Sequence, residues 1–281
     1  MSWDQLLAPG LTVRDSPAET ERFGCSIQRV TIGPGPVEPA ALLAQIEHLP
    51  ADVLVVRYDA ARLELPGTLA RSRRAVVPAG TLTYWEKPVS DTAPGAPPPA
   101  PPATPSGLAV VPANAMGVQA PGGLAAVTAV VREIVLTSFD DYGNHYSANP
   151  LLDPAAALAG YQEWAVRSLT DDPGNVLVMT EHDKPVGMAT LEPGPDGHDL
   201  EILLAGLVPA AQGRRLYASL LQACEVVAAA RGASRLVIST QVHNVRVQRA
   251  WAREGLRPFA AVETVHLIDR DLLLASHRKD D

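Results

Sequence analysis

The sequence predicts a mixed α/β fold of 281 residues built in two parts. Short apolar runs rich in β-branched residues alternate with longer amphipathic segments, a pattern typical of strands and helices in alternation. A proline-rich segment interrupts this pattern near residue 100. Hydrophobic residues make up 47% of the chain, which is enough to bury a sizeable core.

The proline-rich segment predicts a boundary between the two parts. Residues 91–107, "DTAPGAPPPAPPATPSG", contain seven prolines. Such a stretch favours polyproline II and cannot join a helix or a central strand. We therefore expect a smaller lobe at 1–90, a linker at 91–107 and a main domain at 108–281.

Charge and cysteine content restrict the class of partner. The net charge of −8 argues against nucleic acid, whose phosphates require a basic face. Cys25 and Cys224 are the two cysteines, and neither lies in a spacing typical of a metal site, so no metal is expected. The start, "MSWDQLLAPG", has no signal-like character, and no apolar run reaches the ~18 residues of a membrane span. We expect a cytoplasmic protein with no membrane partner.

In the N-terminal part, "CSIQRVTIG", "ADVLVVRYDA" and "AGTLTYWEKPV" are predicted strands, and "EPAALLAQIEHL" is a predicted helix. Neither a nucleophile–base pair nor a glycine-rich loop is visible there. His48 and Arg57 are interpreted as surface groups or satisfied core groups. Function is therefore expected in the C-terminal part.

The C-terminal part predicts two helices, three strands, a loop, and then helix, strand, helix and strand. The helices are "GGLAAVTAVVREIVLTSF" and "PAAALAGYQEWAVRSL", and a hairpin, "NVLVMTEHDKPVGMATLEP", follows them. Next come the strand "HDLEILLAGLVP", a helix that starts after Gly213, the strand "RLVISTQ" and the helix "NVRVQRAWAREG". The last segment, "LRPFAAVETVHLIDRD", predicts one or two strands.

Two motifs in this order resemble the GNAT N-acyltransferase superfamily. The first, "LVPAAQGRRLYASLL", has Val208, Pro209, Gln212 and Gly213 in register with Val-x-Pro-x-x-(Arg/Gln)-Gly-x-Gly-x-(Gly/Ala). The second, "NVRVQRAWAREGL", matches Asn-x-x-Ala-x-x-x-Tyr-x-x-x-Gly-Phe at its asparagine and its glycine. The resemblance covers residues 120–270 and implies a mixed, mostly antiparallel sheet flanked by helices. The N-terminal strands fit a partial lobe of the same kind.

The resemblance implies acetyl-CoA as co-substrate, with its pyrophosphate at the start of the helix after Gly213. Backbone N–H groups and the positive end of the helix dipole suit an anion there. The residues expected at the acetyl-CoA site are Leu207, Val208, Gln212, Gly213, Arg214, Arg215, Leu216, Tyr217, Asn244 and Trp251. Leu207 or Val208 would offer a backbone N–H to the thioester oxygen, and Asn244 is equally well interpreted as a helix cap.

Three positions depart from the family pattern. Arg215 replaces the second glycine, and Tyr217 replaces the small residue two positions later. Arg214 and Arg215 could add charge-assisted contacts to phosphate. Trp251 stands where the family usually has a tyrosine near the CoA sulfur, and an indole N–H donates a hydrogen bond but supplies no proton.

Transfer to an amine requires a base, because ammonium is not a nucleophile. Glu201, on the strand before the loop, is the first candidate, and an edge or mouth-facing charge is the equally weighted alternative. His145, Tyr146 and His266 are alternative bases or substrate contacts. His198 and His243 are expected at the surface.

A narrower resemblance, to the dTDP-fucosamine (dTDP-4-amino-4,6-dideoxygalactose) N-acetyltransferase group and its actinobacterial relatives, rests on "LLAGLVP", "STQVHNVRVQRAWAREGL" and "TVHL". It implies a small-molecule amine as acceptor, an amino sugar or a secondary-metabolite intermediate. The alternatives are another acyl donor or acceptor, and a CoA-binding protein that has lost turnover. A homodimer is left open.

Overall fold

In the computed structural model, residues 3–6, 8–89, 106–119, 122–140 and 142–277 are described. The predicted linker, 91–107, lies outside these residues except for its last two positions. Its extent, and the division of the chain there, stay predictions.

One mixed sheet of ten strands runs through the described chain. Its strands are β1 (Leu11–Asp15), β2 (Ile27–Ile32), β3 (Val53–Asp59), β4 (Ala75–Pro88), β5 (Leu108–Pro112), β6 (Val176–Glu181), β7 (Lys184–Pro193), β8 (Asp199–Leu207), β9 (Arg235–Gln241) and β10 (Arg257–Ile268). The order across the sheet is β1-β2-β3-β10-β4-β9-β8-β7-β6-β5. Only the β2–β3 and β8–β9 pairs are parallel, so the expected mixed and mostly antiparallel sheet is confirmed.

Helices cover both faces of this sheet. They are α1 (Pro17–Phe23), α2 (Pro39–Glu47), α3 (Glu64–Leu69), α4 (Ala113–Gln119), α5 (Gly123–Ser138), α6 (Pro154–Asp171), α7 (Leu216–Ala230), α8 (Val245–Arg253) and α9 (Arg270–His277). Short 3₁₀ turns lie at Trp3–Leu6, His145–Ala148, Pro173–Asn175 and Pro209–Ala211. Two starts follow directly from sequence, because Glu38 and Asp153 cap α2 and α6 through their carboxylates, each followed by proline at the first helical position.

The two halves of the chain exchange strands at the centre of the sheet. Strand β10 lies between β3 and β4, and β4 lies between β10 and β9. The β4–β10 pair is antiparallel and long, running from Arg257↔Glu86 to Ile268↔Ala75. The last predicted segment is thus a single strand, interrupted by two register shifts. Each half therefore completes its sheet with a strand from the other half.

The halves also repeat one order of elements. The succession β2-α2-β3-α3-β4 has the same alternation as β8-α7-β9-α8-β10, and the first two strands of each are parallel. In the N-terminal half, β2 and β3 stay paired from Ile27↔Val53 to Ile32↔Tyr58. In the C-terminal half, β8 and β9 separate. The sheet is therefore open between β8 and β9 in the C-terminal half, and it is closed between β2 and β3 in the N-terminal half.

Because β10 belongs to both halves, we expect Leu267→Ala to destabilise the whole protein at once. Leu267 is fully buried in β10 and packs in the apolar cluster of the N-terminal half. Loss of a buried leucine side chain costs about 3 kcal/mol. The midpoint of urea unfolding should shift equally whether it is followed by tryptophan fluorescence or by circular dichroism. Leu274→Ala, on exposed α9, is the control, and two separated transitions would contradict this expectation.

Candidate active site

The opening in the sheet begins where β8 and β9 part. They pair only from Asp199↔Arg235 to Ile202↔Ile238, although both strands continue beyond. The register of β7 with β8 shifts between Thr190↔Leu204 and Leu191↔Ile202, which leaves Leu203 as an extra residue. A bulge of this kind bends its strand, so β8 turns away from β9 and a wedge opens between them.

Backbone groups of β8 face this wedge. The N–H of Val208 donates to the Val186 carbonyl at 2.9 Å, on the β7 side. Residues alternate along a strand, so the N–H of Leu207 faces the other way. The Leu207 carbonyl accepts from Gln212 Nε2 at 2.9 Å, which ties the following loop to the strand end. Of the two predicted donors to a thioester oxygen, Leu207 therefore has its N–H on the wedge side.

The loop before α7 has the backbone of a glycine-rich turn even where glycine is missing. Gly213 has φ +75°, and Arg215, the N-cap of α7, has φ +64°. Non-glycine residues pay about 1–2 kcal/mol for this left-handed conformation. No side chain caps the helix, so the N–H groups of Leu216 and Tyr217 lack an intrahelical acceptor. The departure at Arg215 thus leaves the backbone geometry for an anion in place.

The two loop arginines have different surroundings. Arg214 makes a two-pronged ion pair with Glu181, at 2.6 and 2.8 Å, on the surface. Arg215 lines a large cavity that begins at this loop. Exposed ion pairs of the Arg214 type are weak. Of the two expected phosphate contacts, Arg215 is the one that lines the cavity.

A cavity of about 1020 Å³ extends from this loop, along the wedge, to the N-terminal half. One wall consists of β8 and β9 residues on either side of the wedge. A second wall is aromatic and consists of Phe139, Tyr142, Tyr161 and Trp164. The rings of Phe139 and Tyr161 are stacked, with their centroids 5.7 Å apart. Sequence reasoning missed this wall, although aromatic residues gathered between 139 and 164 are conspicuous in a chain with 5% aromatics.

Tyr217 and Trp251 meet on the cavity wall. Trp251 is 1% exposed and packs edge-on against Trp85. Its Nε1–H donates to the Tyr217 hydroxyl oxygen at 3.4 Å. Burial raises the pKa of Tyr217, so its hydroxyl keeps its proton at neutral pH. Two of the three departures from the family pattern, Tyr217 and Trp251, therefore form one hydrogen-bonded pair.

Asn244 caps α8, as its position predicts. Its Oδ1 accepts from the Val247 N–H at 3.4 Å, and its Nδ2 donates to Thr240 Oγ1 at 3.1 Å. Thr240 also lies 3.3 Å from the Tyr142 hydroxyl. Asn244 lines the cavity, so the cap and the cavity wall are the same residue. Neighbouring His243 is exposed, as expected, and lies at the cavity mouth.

The N-terminal half supplies a charged inner end of the cavity, which the sequence did not indicate. Glu19 forms a two-pronged ion pair with Arg29, at 2.7 and 2.9 Å, and accepts hydrogen bonds from Ser16 and Tyr146. Burial alone would raise the pKa of Glu19, but the Arg29 hydrogen bonds and charge, with those two hydroxyls, lower it to about 2. Arg57, interpreted above as a surface or core group, is buried on the cavity wall. His48 is exposed and bonds only its own helix.

His145 and His266, predicted separately, form a buried pair. His145 Nδ1 lies 2.9 Å from His266 Nε2, and His266 Nδ1 lies 3.0 Å from Asn149 Nδ2. The Asn149 Oδ1 accepts from the Leu151 N–H, so Asn149 offers its NH₂ to His266. It follows that His266 carries its proton on Nε2 and donates to His145. His145, which lines the cavity, then carries its own proton on Nε2.

Glu201 is buried in β8, and its carboxylate accepts from the Trp3 backbone N–H at 2.7 Å. The described cavity wall passes through its neighbours Ile202 and Leu203 and does not include Glu201. Its assignment as the base stays a prediction from the sequence. His198 is exposed in the β7–β8 turn, as expected.

The described ranges contain no cluster of three or more His, Cys, Asp or Glu side chains arranged for a metal ion. No helix within them is both long and apolar enough to cross a membrane.

Strand β8 is followed by a loop with left-handed residues, then by α7, and then by β9, which is parallel to β8 and splays away from it. Residues 136–256 match the model of the acetyltransferase (GNAT) family. This match contains the wedge, the loop and α7 and α8 up to Leu256. The superfamily resemblance is therefore supported, whereas the narrower resemblance to the dTDP-fucosamine group stays a prediction.

Solved structures share this fold at low identity. A GCN5-related N-acetyltransferase from Sphaerobacter thermophilus is 15% identical, with a TM-score of 0.61 over 92% of this chain and 76% of that chain. A tandem GNAT protein from the clavulanic acid biosynthesis pathway is 15% identical, with a TM-score of 0.54 over 93% and 85%. A GCN5-related N-acetyltransferase from Kribbella flavida is 15% identical, with a TM-score of 0.52 over 87% and 81%. No curated protein matches the chain.

We expect the histidine pair to make stability fall on mild acidification. Burial, and then the charge of Arg57, lower the pKa of His266 to about 4, and the same causes hold the pKa of His145 well below 6.5. The unfolded chain takes up these protons below about pH 6.5, so the stabilisation is complete above that pH and is lost as the pH falls towards 4. For His266 the loss approaches about 3 kcal/mol.

Urea unfolding at pH 7, 6, 5 and 4.5 measures this loss. His266→Gln should flatten the dependence, whereas His198→Gln, an exposed histidine, should leave it unchanged. Equal slopes for the His266 variant and the wild-type protein would contradict the assignment of neutral histidines.

Proposed function

We propose that the protein is an acetyl-CoA-dependent N-acetyltransferase that acts on the primary amine of a small molecule. The observation that carries this proposal is the continuity of one cavity with both the wedge and the loop before α7. The loop offers backbone N–H groups to the pyrophosphate. The wedge offers the Leu207 N–H to the thioester oxygen, where negative charge develops as the amine attacks.

The size and walls of the cavity support a small acceptor. A volume of about 1020 Å³ exceeds that of most single-ligand pockets, so an acyl-donor arm and a second molecule both have room. The aromatic wall suits an apolar or ring-shaped part of the acceptor. An amino sugar or a secondary-metabolite intermediate is the proposed class. Cytoplasmic location and a homodimer stay predictions.

The alternative function is binding of CoA without turnover. One observation favours it, namely that Tyr217, at a position where the family pattern has a small residue, lies on the cavity wall. Turnover measurements decide between the two. Thiol release from acetyl-CoA would be followed with amino acids, amino sugars and aromatic amines as acceptors.

Acetyl-CoA should raise the melting temperature, because a ligand selective for the folded state stabilises it by about 2.7 kcal/mol at a hundredfold excess over Kd. Gly213→Ala should weaken binding at least about tenfold, since the loop no longer adopts φ +75° without strain. Gly197→Ala is the matched control, because Gly197 has φ +73° with similar open space and lies in the distant β7–β8 turn. Absence of binding at millimolar acetyl-CoA in calorimetry would contradict the proposed function.

The Glu201→Gln variant tests whether Glu201 acts as the base or stabilises the fold. The contact with the Trp3 N–H predicts a mainly structural contribution, because glutamine still accepts a hydrogen bond but without charge. We expect the free energy of unfolding to fall by about 1–2 kcal/mol and turnover to stay within about tenfold of wild type. If Glu201 is instead the base, turnover should fall about 10²–10⁴-fold with unchanged acetyl-CoA affinity. Kinetics at several pH values, together with calorimetry, distinguish the two results.

A further inference from the structure

We propose that the Tyr217 hydroxyl, on the first turn of α7, protonates the departing thiolate, with Trp251 holding that hydroxyl in place. This inference rests on the proposed function and assigns a group that the reaction requires. It starts from the hydrogen bond between the two side chains.

The direction of that hydrogen bond fixes what Tyr217 can do. An indole N–H only donates, so the Tyr217 oxygen is the acceptor. In the described part of the chain this is the one hydrogen bond that the hydroxyl makes. Its own proton is therefore left for a ligand in the cavity. Trp251 is locked by burial and by its edge-on contact with Trp85, so the oxygen that it holds has a defined position.

The location of Tyr217 suits the sulfur. The side chain packs against the apolar cluster that contains both Leu207 and Trp251, and it lines the cavity on the α7 side of the wedge. An acyl donor with its pyrophosphate on the loop and its carbonyl oxygen at the Leu207 N–H must pass this wall. The sulfur is bonded to that carbonyl carbon, so it lies nearby.

A second cavity tyrosine is less suited to this step. The Tyr142 hydroxyl accepts the Gln241 N–H at 3.4 Å and lies 3.3 Å from Thr240 Oγ1, which offers an acceptor for its proton. Tyr142 therefore has two protein partners, whereas Tyr217 has one. Serine and threonine hydroxyls on the wall are weaker acids than a free phenol, whose pKa is ~10, and burial raises the pKa of Tyr217 above that value.

The step balances as a proton transfer. The amine nitrogen forms a bond to the thioester carbon as the π pair of the carbonyl moves onto oxygen. The carbonyl then re-forms, and the carbon–sulfur bond breaks with its electron pair on sulfur. The sulfur takes the Tyr217 proton and leaves as a thiol. The tyrosinate regains a proton from the amide nitrogen as that nitrogen loses its surplus proton. The products are an N-acetyl amide and CoA.

The test uses thiol release from acetyl-CoA with hydroxylamine as acceptor, since so small an amine does not depend on the acceptor pocket. We expect Tyr217→Phe to lower kcat about 10- to 100-fold, at or below the lower end of general acid catalysis. The Kd of acetyl-CoA, from calorimetry, should stay within about threefold. Tyr58→Phe, in the core of the N-terminal half, is the control for loss of a buried hydroxyl.

Rescue distinguishes an acid from a packing residue. Trp251→Tyr alone should leave turnover level or lower it, because Tyr217 loses its support. Combined with Tyr217→Phe, the same change returns one hydroxyl to this wall from α8, and kcat should rise several-fold above that of Tyr217→Phe.

Three results would overturn the assignment. They are near-normal kcat in Tyr217→Phe, a larger loss in Tyr142→Phe, and acetyl-CoA binding more than tenfold tighter in Tyr217→Phe, which would make the side chain an obstruction. Failure of the wild-type protein to bind acetyl-CoA, or to release thiol with any amine, would contradict the proposed function itself and is recognised before the variants are compared.

Discussion

The pairing of β4 with β10 is the constraint on which the rest of the structure depends. Each is the last strand of its half of the chain, and both of its neighbours in the sheet belong to the opposite half. The exchange makes the two halves one sheet without a separate interface. It also brings His266, on β10, to His145 of the C-terminal half and close to the charge of Arg57 on β3. The position of the cavity between the halves follows from this exchange.

A break in regular strand pairing creates the site within that sheet. The bulge at Leu203 separates β8 from β9, and the N-terminal pair β2–β3, which has no such shift, stays closed. One half thus forms the opening, while the other contributes Arg29 and Arg57 to its inner end. The ion pair of buried Glu19 with partly exposed Arg29 is weak evidence for stability, because desolvation offsets its attraction. Its position on the cavity wall places a carboxylate and a guanidinium beside the cavity.

Local patterns were enough to predict most strands, the long helices and the loop before α7. The run "LVPAAQGRRLYASLL" contains the strand end, the left-handed turn and the helix within fifteen residues, so its geometry is set locally. The short elements α1, α3, α4, α9, β1 and β5 have too few residues for a clear period and were not predicted. That Arg29 and Arg57 line the cavity was not predicted, for another reason. Each is a single charge in an apolar strand, and only the order of strands across the sheet shows that they meet His145 and Tyr146 in one cavity.

The departures at Arg215, Tyr217 and Trp251 are better understood together than singly. Taken one by one, each predicts a loss: strain in the loop, crowding at the helix start, and a missing acid. In the structure Arg215 adopts the left-handed backbone that glycine would provide, and Tyr217 and Trp251 are joined by a hydrogen bond. Gly213 and Arg215 both have this left-handed backbone, and no side chain caps the helix that follows. The loop therefore leaves the N–H groups of Leu216 and Tyr217 without an intrahelical acceptor, which is the geometry that the proposed function requires of it. The hydrogen bond from Trp251 gives the Tyr217 hydroxyl a defined place on the cavity wall, so the three departures together form one arrangement.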